Sequence, residues 1–215
     1  AEFICRKIYT YFVNPSIDAS HLNELTDLFY KDYNIEKLMR HIFMSDWFYD
    51  EKNIGVKIKS PVELMVGIQK IVPSVFNKQP QVSYLQKMMG QILLYPVNVA
   101  GWKGDRYWID SNSLMFRLKL PSVLLNNANI SLMPKGEFED DFSNFYKQKN
   151  QNFKVSNQAL AYFETHYSKS TKKELKVILV LPKLDQDTKE MLKIYQHQNA
   201  YQYCIQLMSI PEYQL

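Results

Sequence analysis

Residues 60–73, with the sequence SPVELMVGIQKIVP, carry the clearest helix signal in the chain. Ser60 can cap the helix with its hydroxyl, Pro61 suits the first helical position, and Glu63 can complete a capping box. Apolar side chains then recur at helical spacing until Pro73. These apolar residues are Leu64, Met65, Ile68, Ile71 and Val72. The stretch therefore predicts an amphipathic helix with one face in a core.

The same spacing predicts three helices upstream of this stretch. The first ends before Asn14 and Pro15, because the residue before a proline disfavours the helical conformation. Its expected apolar face consists of Ile4, Ile8, Tyr11 and Phe12. A second helix begins at about Asp18 or Ser20, and Asn34 is the expected N-cap of the third.

Further helices are predicted downstream, over 81–94, from a cap at Ser111 onward, and over 156–167, 188–198 and 200–209. Pro121 should kink or restart the helix that Ser111 caps. Residues 176–181 are rich in β-branched side chains and fit either a strand or a helical turn. Because no partner strand is evident, we favour the helical turn.

The composition agrees with a helical fold. Of 215 residues, 46% are hydrophobic and 22% are charged, which is typical of globular proteins. Only 6 glycines occur, which disfavours a barrel or sandwich with many tight turns. We therefore predict an all-α fold, an irregular multi-helix domain over 1–215, with an irregular connection at 126–155 and one long loop that contains glycine and tryptophan.

The distribution of charge argues against nucleic-acid binding, and the apolar pattern argues against a transmembrane segment. The net charge of +4 is spread along the chain, whereas proteins that bind nucleic acid usually concentrate their basic residues. No apolar run approaches the length of a membrane span. We therefore expect neither nucleic-acid binding nor a transmembrane segment.

No motif for metal binding or catalysis is recognisable. The 4 histidines lie in different predicted helices, and no Cys/His cluster has the spacing of a metal site, so no metal or cofactor is expected. Cys5 and Cys204 are either two small buried side chains or a disulfide that ties the chain ends together. The catalytic residues, if the chain has any, are unknown from the sequence.

The loop at 97–111 is the first candidate site, since it interrupts the helical pattern and holds two glycines and two tryptophans. The candidate residues are Trp102, Asp105, Arg106, Trp108 and Asp110. They could bind a carbohydrate, with rings stacked on sugar faces and charged groups on hydroxyls. Alternatively, the two tryptophans plug the core, which we favour because loops between helices often need such anchors.

Lys57 and Lys59 form the second candidate site. On an extended segment they share a face, where they could receive an anion beside the N-terminus of the helix that begins at Pro61. The alternative, which we favour, is a solvated face next to a capping-box glutamate, Glu63.

Four groups of residues, in order along the chain, match the motifs of a known family: EFI at 2–4 with KIY at 7–9 and Phe12; WFY at 47–49 with NIG at 53–55 and KIKSPVEL at 57–64; NVAGW at 98–102 with WI at 108–109 and Ser111; and PEYQ within 207–215. On these residues the chain resembles the C-terminal part of the bacterial family called domain of unknown function 1800. Asp105 stands where that family usually has a second glycine after Gly104.

The resemblance implies a longer, exported protein whose N-terminal half is missing from this sequence, and it carries no established activity. We expect a non-catalytic module that binds a glycan or an envelope protein, with the missing half as a further partner. The alternative is part of an enzyme that acts on polysaccharide or another polymer, with a site shared with that half. Asp105 and Asp110 could then do acid–base work if burial raised one pKa.

Overall fold

The structure is a computed structural model that describes residues 1–73, 79–126 and 157–215. These residues form ten α-helices and four short 3₁₀-helices, and within them the only β-type pairing is a single bridge between Ile92 and Tyr95. The predicted all-α fold is therefore confirmed. The irregular connection predicted at 126–155 lies, apart from Asn126, outside the described residues.

By its contacts the chain divides into two compact units, Ala1–Lys57 together with Leu215, and Ile58–Gln214. The two main hydrophobic clusters follow this division, one in each unit. The expectation that 1–215 forms a single domain stays a prediction.

Three helices and two 3₁₀-helices make up the first unit: α1 (Glu2–Phe12), α2 (Ala19–Tyr30), α3 (Ile35–Met44), and the short helices Asp46–Tyr49 and Glu51–Asn53. The predicted N-cap of α3 is present, since the Asn34 side chain accepts from the amide of Lys37. Helix α2 begins directly after Asp18, one of the two starts that the sequence suggested, and the Asp18 carboxylate accepts from the amides of Ser20 and His21. The starts of α2 and α3 thus follow from local hydrogen bonding.

The buried face of α1 is not the one predicted. Three residues expected in the core are exposed: Ile4, Tyr11 and Phe12. Cys5 and Tyr9 are buried instead, followed by Val13, so the row at four-residue spacing faces α2. The Tyr9 hydroxyl is hydrogen-bonded to Nδ1 of His21 at 3.2 Å, which satisfies its polar end. A cysteine and a tyrosine thus form the buried row, while more apolar side chains remain outside.

Seven helices and two 3₁₀-helices make up the described part of the second unit: α4 (Pro61–Ile71), α5 (Gln79–Met88), α6 (Ser111–Leu125), α7 (Asn157–Tyr167), α8 (Lys172–Leu179), α9 (Gln186–Ile194), α10 (Ala200–Met208), and the short helices Asp105–Trp108 and Pro211–Gln214. Helix α10 packs against α6, α7, α8 and the last 3₁₀-helix. It therefore lies at the centre of this unit's core.

Helix α4 begins as the sequence predicts. The Ser60 hydroxyl accepts from the Glu63 amide at 3.2 Å, and the Glu63 carboxylate accepts from the Ser60 amide at 2.7 Å. Leu64 and Ile68 on the predicted face are buried. The capping box and the apolar stripe together fix this helix at the edge of the second unit's core.

The helix predicted over 81–94 ends earlier, at Met88. Gly90 follows with φ of +85°, the left-handed conformation with which glycine commonly terminates a helix. The chain then makes the turn that is closed by the Ile92–Tyr95 bridge. The prediction was wrong here because apolar spacing outweighed the glycine signal.

Two further expectations for this unit are corrected and one is confirmed. Asp110, not Ser111, is the N-cap of α6. Pro121 does not restart that helix, which is continuous from Ser111 to Leu125, and the alternative expectation of a kink stays a prediction. The helical turn favoured for 176–181 is confirmed as far as Leu179, the end of α8.

Both cysteines are buried and free. Cys5 belongs to the core of the first unit and Cys204, on α10, to the core of the second. Of the two sequence interpretations, the one with small buried side chains matches the structure.

Candidate functional site

Within the second unit, the backbone amides of residues 58 and 59 bond to the 97–111 loop and to the C-terminal segment, respectively. The amide of Ile58 donates to the carboxylate of Asp105 at 3.3 Å. The amide of Lys59 donates to the carbonyl of Gln214 at 2.7 Å. Three of the segments that carry the sequence resemblance therefore meet in one place.

Arg117, on α6, is the centre of this junction and is completely buried. Its Nε donates to the side-chain carbonyl of Gln214 at 3.0 Å, and its Nη2 donates to the backbone carbonyl of Lys59 at 2.6 Å. Burial lowers its pKa to about 10, so it remains charged at neutral pH. The guanidinium is a planar group with several donors, which suits it to holding two chain segments at once.

Sequence reasoning missed Arg117, although a signal existed. It follows Phe116 and lies three residues before Leu120, so it interrupts a run whose neighbours are buried. A charged residue in the apolar row of a helix is rarely fully buried unless its donors are satisfied. That position should have suggested a buried polar junction.

Lys59 lies next to this arginine, and its environment makes it an unusual lysine. Its Nζ donates to the carbonyl of Tyr213 and lies 4.5 Å from the centre of the Tyr213 ring. Burial, with a further contribution from the Arg117 charge, lowers the pKa of Lys59 to about 8, while Glu63 opposes the shift. Lys59 can therefore lose a proton just above neutral pH.

We expect the Cε carbon of Lys59 to titrate with a midpoint near pH 8 when followed by ¹³C NMR. Arg117→Gln should raise this midpoint, because it removes a neighbouring positive charge, and Glu63→Gln should lower it, because it removes a negative one. Lys57→Gln is the control and should leave the titration midpoint of Lys59 unchanged. A midpoint of Lys59 near 10.5, the ordinary lysine value, would contradict this burial.

Lys57 has a different partner. Its Nζ lies 3.7 Å from the centre of the Tyr11 ring, within the first unit. Lys57 itself is exposed. The two lysines predicted as an anion site therefore make separate cation–π contacts, one to Tyr11 and one to Tyr213.

Both glycines of the loop have a left-handed backbone conformation. Gly101 and Gly104 have φ of +79° and +73°, values that side chains rarely tolerate. Asp105 follows with φ of +50°, also left-handed. In the family that the sequence resembles, this position is usually a glycine. Aspartate is among the other residues that accept a left-handed conformation best. The Asp105 carboxylate is used in the contact to Ile58.

The remaining residues of the predicted loop site lie in different surroundings. Trp108 is buried, with 8% of its surface exposed, and Trp102 is half-buried. Arg106 is exposed. The buried ring of Trp108 is unsuited to stacking on a sugar without rearrangement. The structural interpretation placed both tryptophans in the core, whereas Trp102 is only half-buried, so that interpretation stays a prediction.

Asp110 acts at the start of α6. Its carboxylate accepts from the amides of Asn112 and Ser113, both at 2.8 Å. The Ser113 hydroxyl completes the box by accepting from the Asp110 amide at 2.8 Å, and it donates to the Trp108 carbonyl at 3.0 Å. The carboxylate is therefore engaged in capping the helix.

An exposed apolar surface precedes the tryptophans, and sequence reasoning missed it because it assigned part of this stretch to a helix. We define the 93–99 surface by its exposed members: Leu93, Leu94, Tyr95, Val97 and Val99. Leu94 is 89% exposed and Val97 is 79% exposed. Tyr107, 72% exposed, lies further along the same loop.

Hydrogen bonds fix the backbone beneath this surface. The side-chain carbonyl of the buried Gln86 accepts from the Leu93 amide at 2.9 Å. The Asn98 side chain accepts from the Ala100 amide at 2.9 Å, and its backbone carbonyl accepts from the Gly101 amide at 3.0 Å. The 93–99 surface thus has a defined conformation while its side chains face solvent.

One comparison with known proteins gives a match. A family model with the description "Protein of unknown function (DUF1800)" matches residues 1–215, the whole chain. No curated protein and no solved structure matches the chain. Among the described residues, no helix is both long and apolar enough to cross a membrane.

Proposed function

The chain belongs to the DUF1800 family of proteins of unknown function, and we propose that it is a non-catalytic module that binds or assembles with a protein partner. The observation that carries this proposal is the 93–99 surface. A run of exposed large apolar side chains is uncommon on soluble monomers and often marks an interaction site.

The order of the backbone supports the same role. A surface whose conformation is already fixed loses less entropy on binding than a flexible loop. Gln86 and Asn98 provide that order through their hydrogen bonds to the loop amides. Apolar side chains held outward in this way contribute to affinity when a partner covers them.

The chemistry of the surface favours a protein over a glycan. Leucine and valine offer no hydrogen bonds to hydroxyls and no ring for stacking, whereas they pack well against other apolar side chains. Between residues 93 and 108 the exposed rings are those of Tyr95 and Tyr107, and Trp102 is half-buried. An envelope protein is the partner that we propose, with the exported location as part of the same proposal.

The alternative role in an enzyme that acts on a polymer has less support. It depends on Asp105 and Asp110 as an acid–base pair. Asp105 accepts from the amide of Ile58, and Asp110 accepts from two amides at the start of α6. Both carboxylates are therefore used in hydrogen bonds that fix the local backbone, which leaves little support for an acid–base pair formed by these two residues.

The proposal is tested by photo-crosslinking in cells that produce the chain with a benzoyl-phenylalanine at Val99. We expect one or a few discrete cross-linked proteins, identified by mass spectrometry. The same residue placed at Lys119, which is exposed on α6, is the matched control and should give none of them. Val97→Asp should abolish the cross-links from position 99 while circular dichroism remains unchanged.

Two results would contradict the proposal. The first is the same pattern of cross-links from positions 99 and 119. The second is specific binding on a glycan array that is lost in Tyr95→Ala and Tyr107→Ala but kept in Val97→Asp, which would replace the protein partner by a carbohydrate.

A further inference from the structure

A cavity of about 260 Å³ lies between α8, α9 and α10, well away in sequence from the 93–99 surface. Three lysines line it, Lys176 from α8 and Lys189 and Lys193 from α9. Leu184, Leu192 and Tyr203 complete most of the remaining wall. The cavity therefore combines positive charge with apolar surface.

Three residues of α9 line the cavity. Leu192 and Lys193 lie three and four residues after Lys189, one turn further along the helix, and Gln196 follows after the helix ends at Ile194. Lys189 and Lys193 are four residues apart, an arrangement of like charges that destabilises a helix. Glu190 lies between them in sequence, but its carboxylate accepts from the Gln186 side chain at 2.8 Å and forms no ion pair with either lysine among the described residues.

The three lysine side chains are without a hydrogen bond or ion pair to any residue that the structure describes. Asp185 is the acidic group that interacts electrostatically with Lys189, and its carboxylate is already used to cap α9 through the Thr188 amide at 2.6 Å. Three ammonium groups therefore line one cavity without an ion pair to a carboxylate among the described residues.

The apolar wall is preformed. Leu184, Leu192 and Tyr203 are each less than 7% exposed, so they belong to the core of the second unit. Lys172 lies with its Nζ 4.4 Å from the centre of the Tyr203 ring and donates to the carbonyls of Tyr195 and Gln198. A fourth positive charge therefore lies beside the cavity, held in place by backbone carbonyls.

We infer that this cavity binds a small amphipathic anion. Its anionic group lies among the ammonium groups of Lys176, Lys189 and Lys193, and its apolar part covers Leu192 and Tyr203. The volume is below the range usual for drug-sized ligands, which limits the ligand to about one ring with a charged substituent. A phosphate ester and a carboxylate share this chemistry.

The test is a titration of the ¹⁵N-labelled 215-residue chain with phenyl phosphate, followed by amide chemical shifts. We expect saturable shifts centred on 184–203. Inorganic phosphate and benzyl alcohol, which carry only one of the two required features, should each bind at least about tenfold more weakly. Benzoate in place of phenyl phosphate then shows which anionic group the lysines prefer, and saturable binding of either at this cavity supports the inference.

Charge-neutral variants locate the site. Each of Lys176→Gln, Lys189→Gln and Lys193→Gln should weaken phenyl phosphate binding about threefold, and the triple variant about thirtyfold, as expected for partly exposed charge pairs. Lys173→Gln, an exposed lysine on α8 outside the cavity, is the matched control and should bind as the unchanged chain does.

Three outcomes would overturn the inference. One is an affinity of the triple variant within twofold of the unchanged chain, and another is a set of shifts that does not centre on 184–203. The third is equal binding of inorganic phosphate and phenyl phosphate, which would remove the role of the apolar wall. Lys193 is exposed, so its single variant keeps the test valid if the triple variant fails to fold.

Discussion

Arg117→Ala is expected to lower the free energy of unfolding by about 3 kcal/mol or more. The substitution removes both donors of the junction, so the carbonyls of Lys59 and the Gln214 side chain lose their partner in the interior. It also leaves the volume of a fully buried side chain unfilled. Both effects act in the same direction, and urea unfolding followed by circular dichroism measures their sum.

Lys119→Ala is the matched control for this experiment. Lys119 is exposed on the same helix, two residues further on, and its truncation should change the free energy of unfolding by no more than about 0.5 kcal/mol. An effect of Arg117→Ala below about 1 kcal/mol would show that the junction does not stabilise the unit.

A double-mutant cycle separates the hydrogen bond from the lost volume. Arg117→Ala and Gln214→Ala remove the two partners of the 3.0 Å contact singly and together. We expect their effects on the free energy of unfolding to differ from additivity by about 2 kcal/mol, because a hydrogen bond to a charged group contributes about 1.5–3 kcal/mol.

The parts of this fold that the sequence predicted are those that local chemistry determines. A hydroxyl at Ser60 three residues before Glu63 forms a capping box wherever the helix lies, and the N-cap at Asn34 likewise depends only on neighbouring residues. The left-handed backbone at Gly101 and Gly104 likewise matches a local preference, because glycine accepts positive φ more readily than other residues. Such signals depend on a few neighbouring residues and need no knowledge of the tertiary structure.

Properties that depend on distant contacts could not be predicted in the same way. The buried row of α1 runs through Cys5 and Tyr9 because His21, on another helix, is placed to bond the tyrosine hydroxyl. Arg117 is buried because two segments far away in sequence offer carbonyls to it. Burial of a polar residue is decided by partners that become neighbours only on folding.

The 93–99 surface also has one feature that the sequence could predict and one that it could not. Gly90 could have ended the predicted helix at its proper place, and the apolar residues after it would then have been read as part of the loop. The exposure of Leu94 and Val97 could not be predicted, because apolar residues in a sequence are by default expected inside the protein. Their exposure is visible only once the core is complete.

Trp108→Ala is expected to lower the free energy of unfolding by about 3 kcal/mol, the usual cost of truncating a buried aromatic side chain to alanine. Trp108 is the most buried ring of the loop, and its carbonyl accepts from the Ser113 hydroxyl at the start of α6. Loss of the ring should therefore loosen the 3₁₀-helix Asp105–Trp108 and its contact to Ile58. Urea unfolding gives the global effect.

Amide hydrogen exchange at Ile58 gives the local effect of the same substitution. Its amide is bonded to Asp105, so its exchange should accelerate in Trp108→Ala by more than exchange at buried α10 amides such as that of Ile205. Tyr107→Ala is the matched control, because this neighbouring ring is 72% exposed and should change stability by no more than about 0.5 kcal/mol.

The stabilities of Trp108→Ala and Val97→Asp, together with the cross-links from position 99, distinguish a residue that anchors the loop from one that binds a partner. If Trp108 only anchors, Trp108→Ala lowers stability, whereas Val97→Asp on the 93–99 surface leaves stability unchanged and removes the cross-links from position 99. The opposite pattern, a stable Trp108→Ala variant and an unfolded Val97→Asp variant, would mean that the tryptophan is free to meet a ligand and that the apolar surface is part of the core. Because the Trp108 ring is 8% exposed and Val97 is 79% exposed, we expect the first pattern.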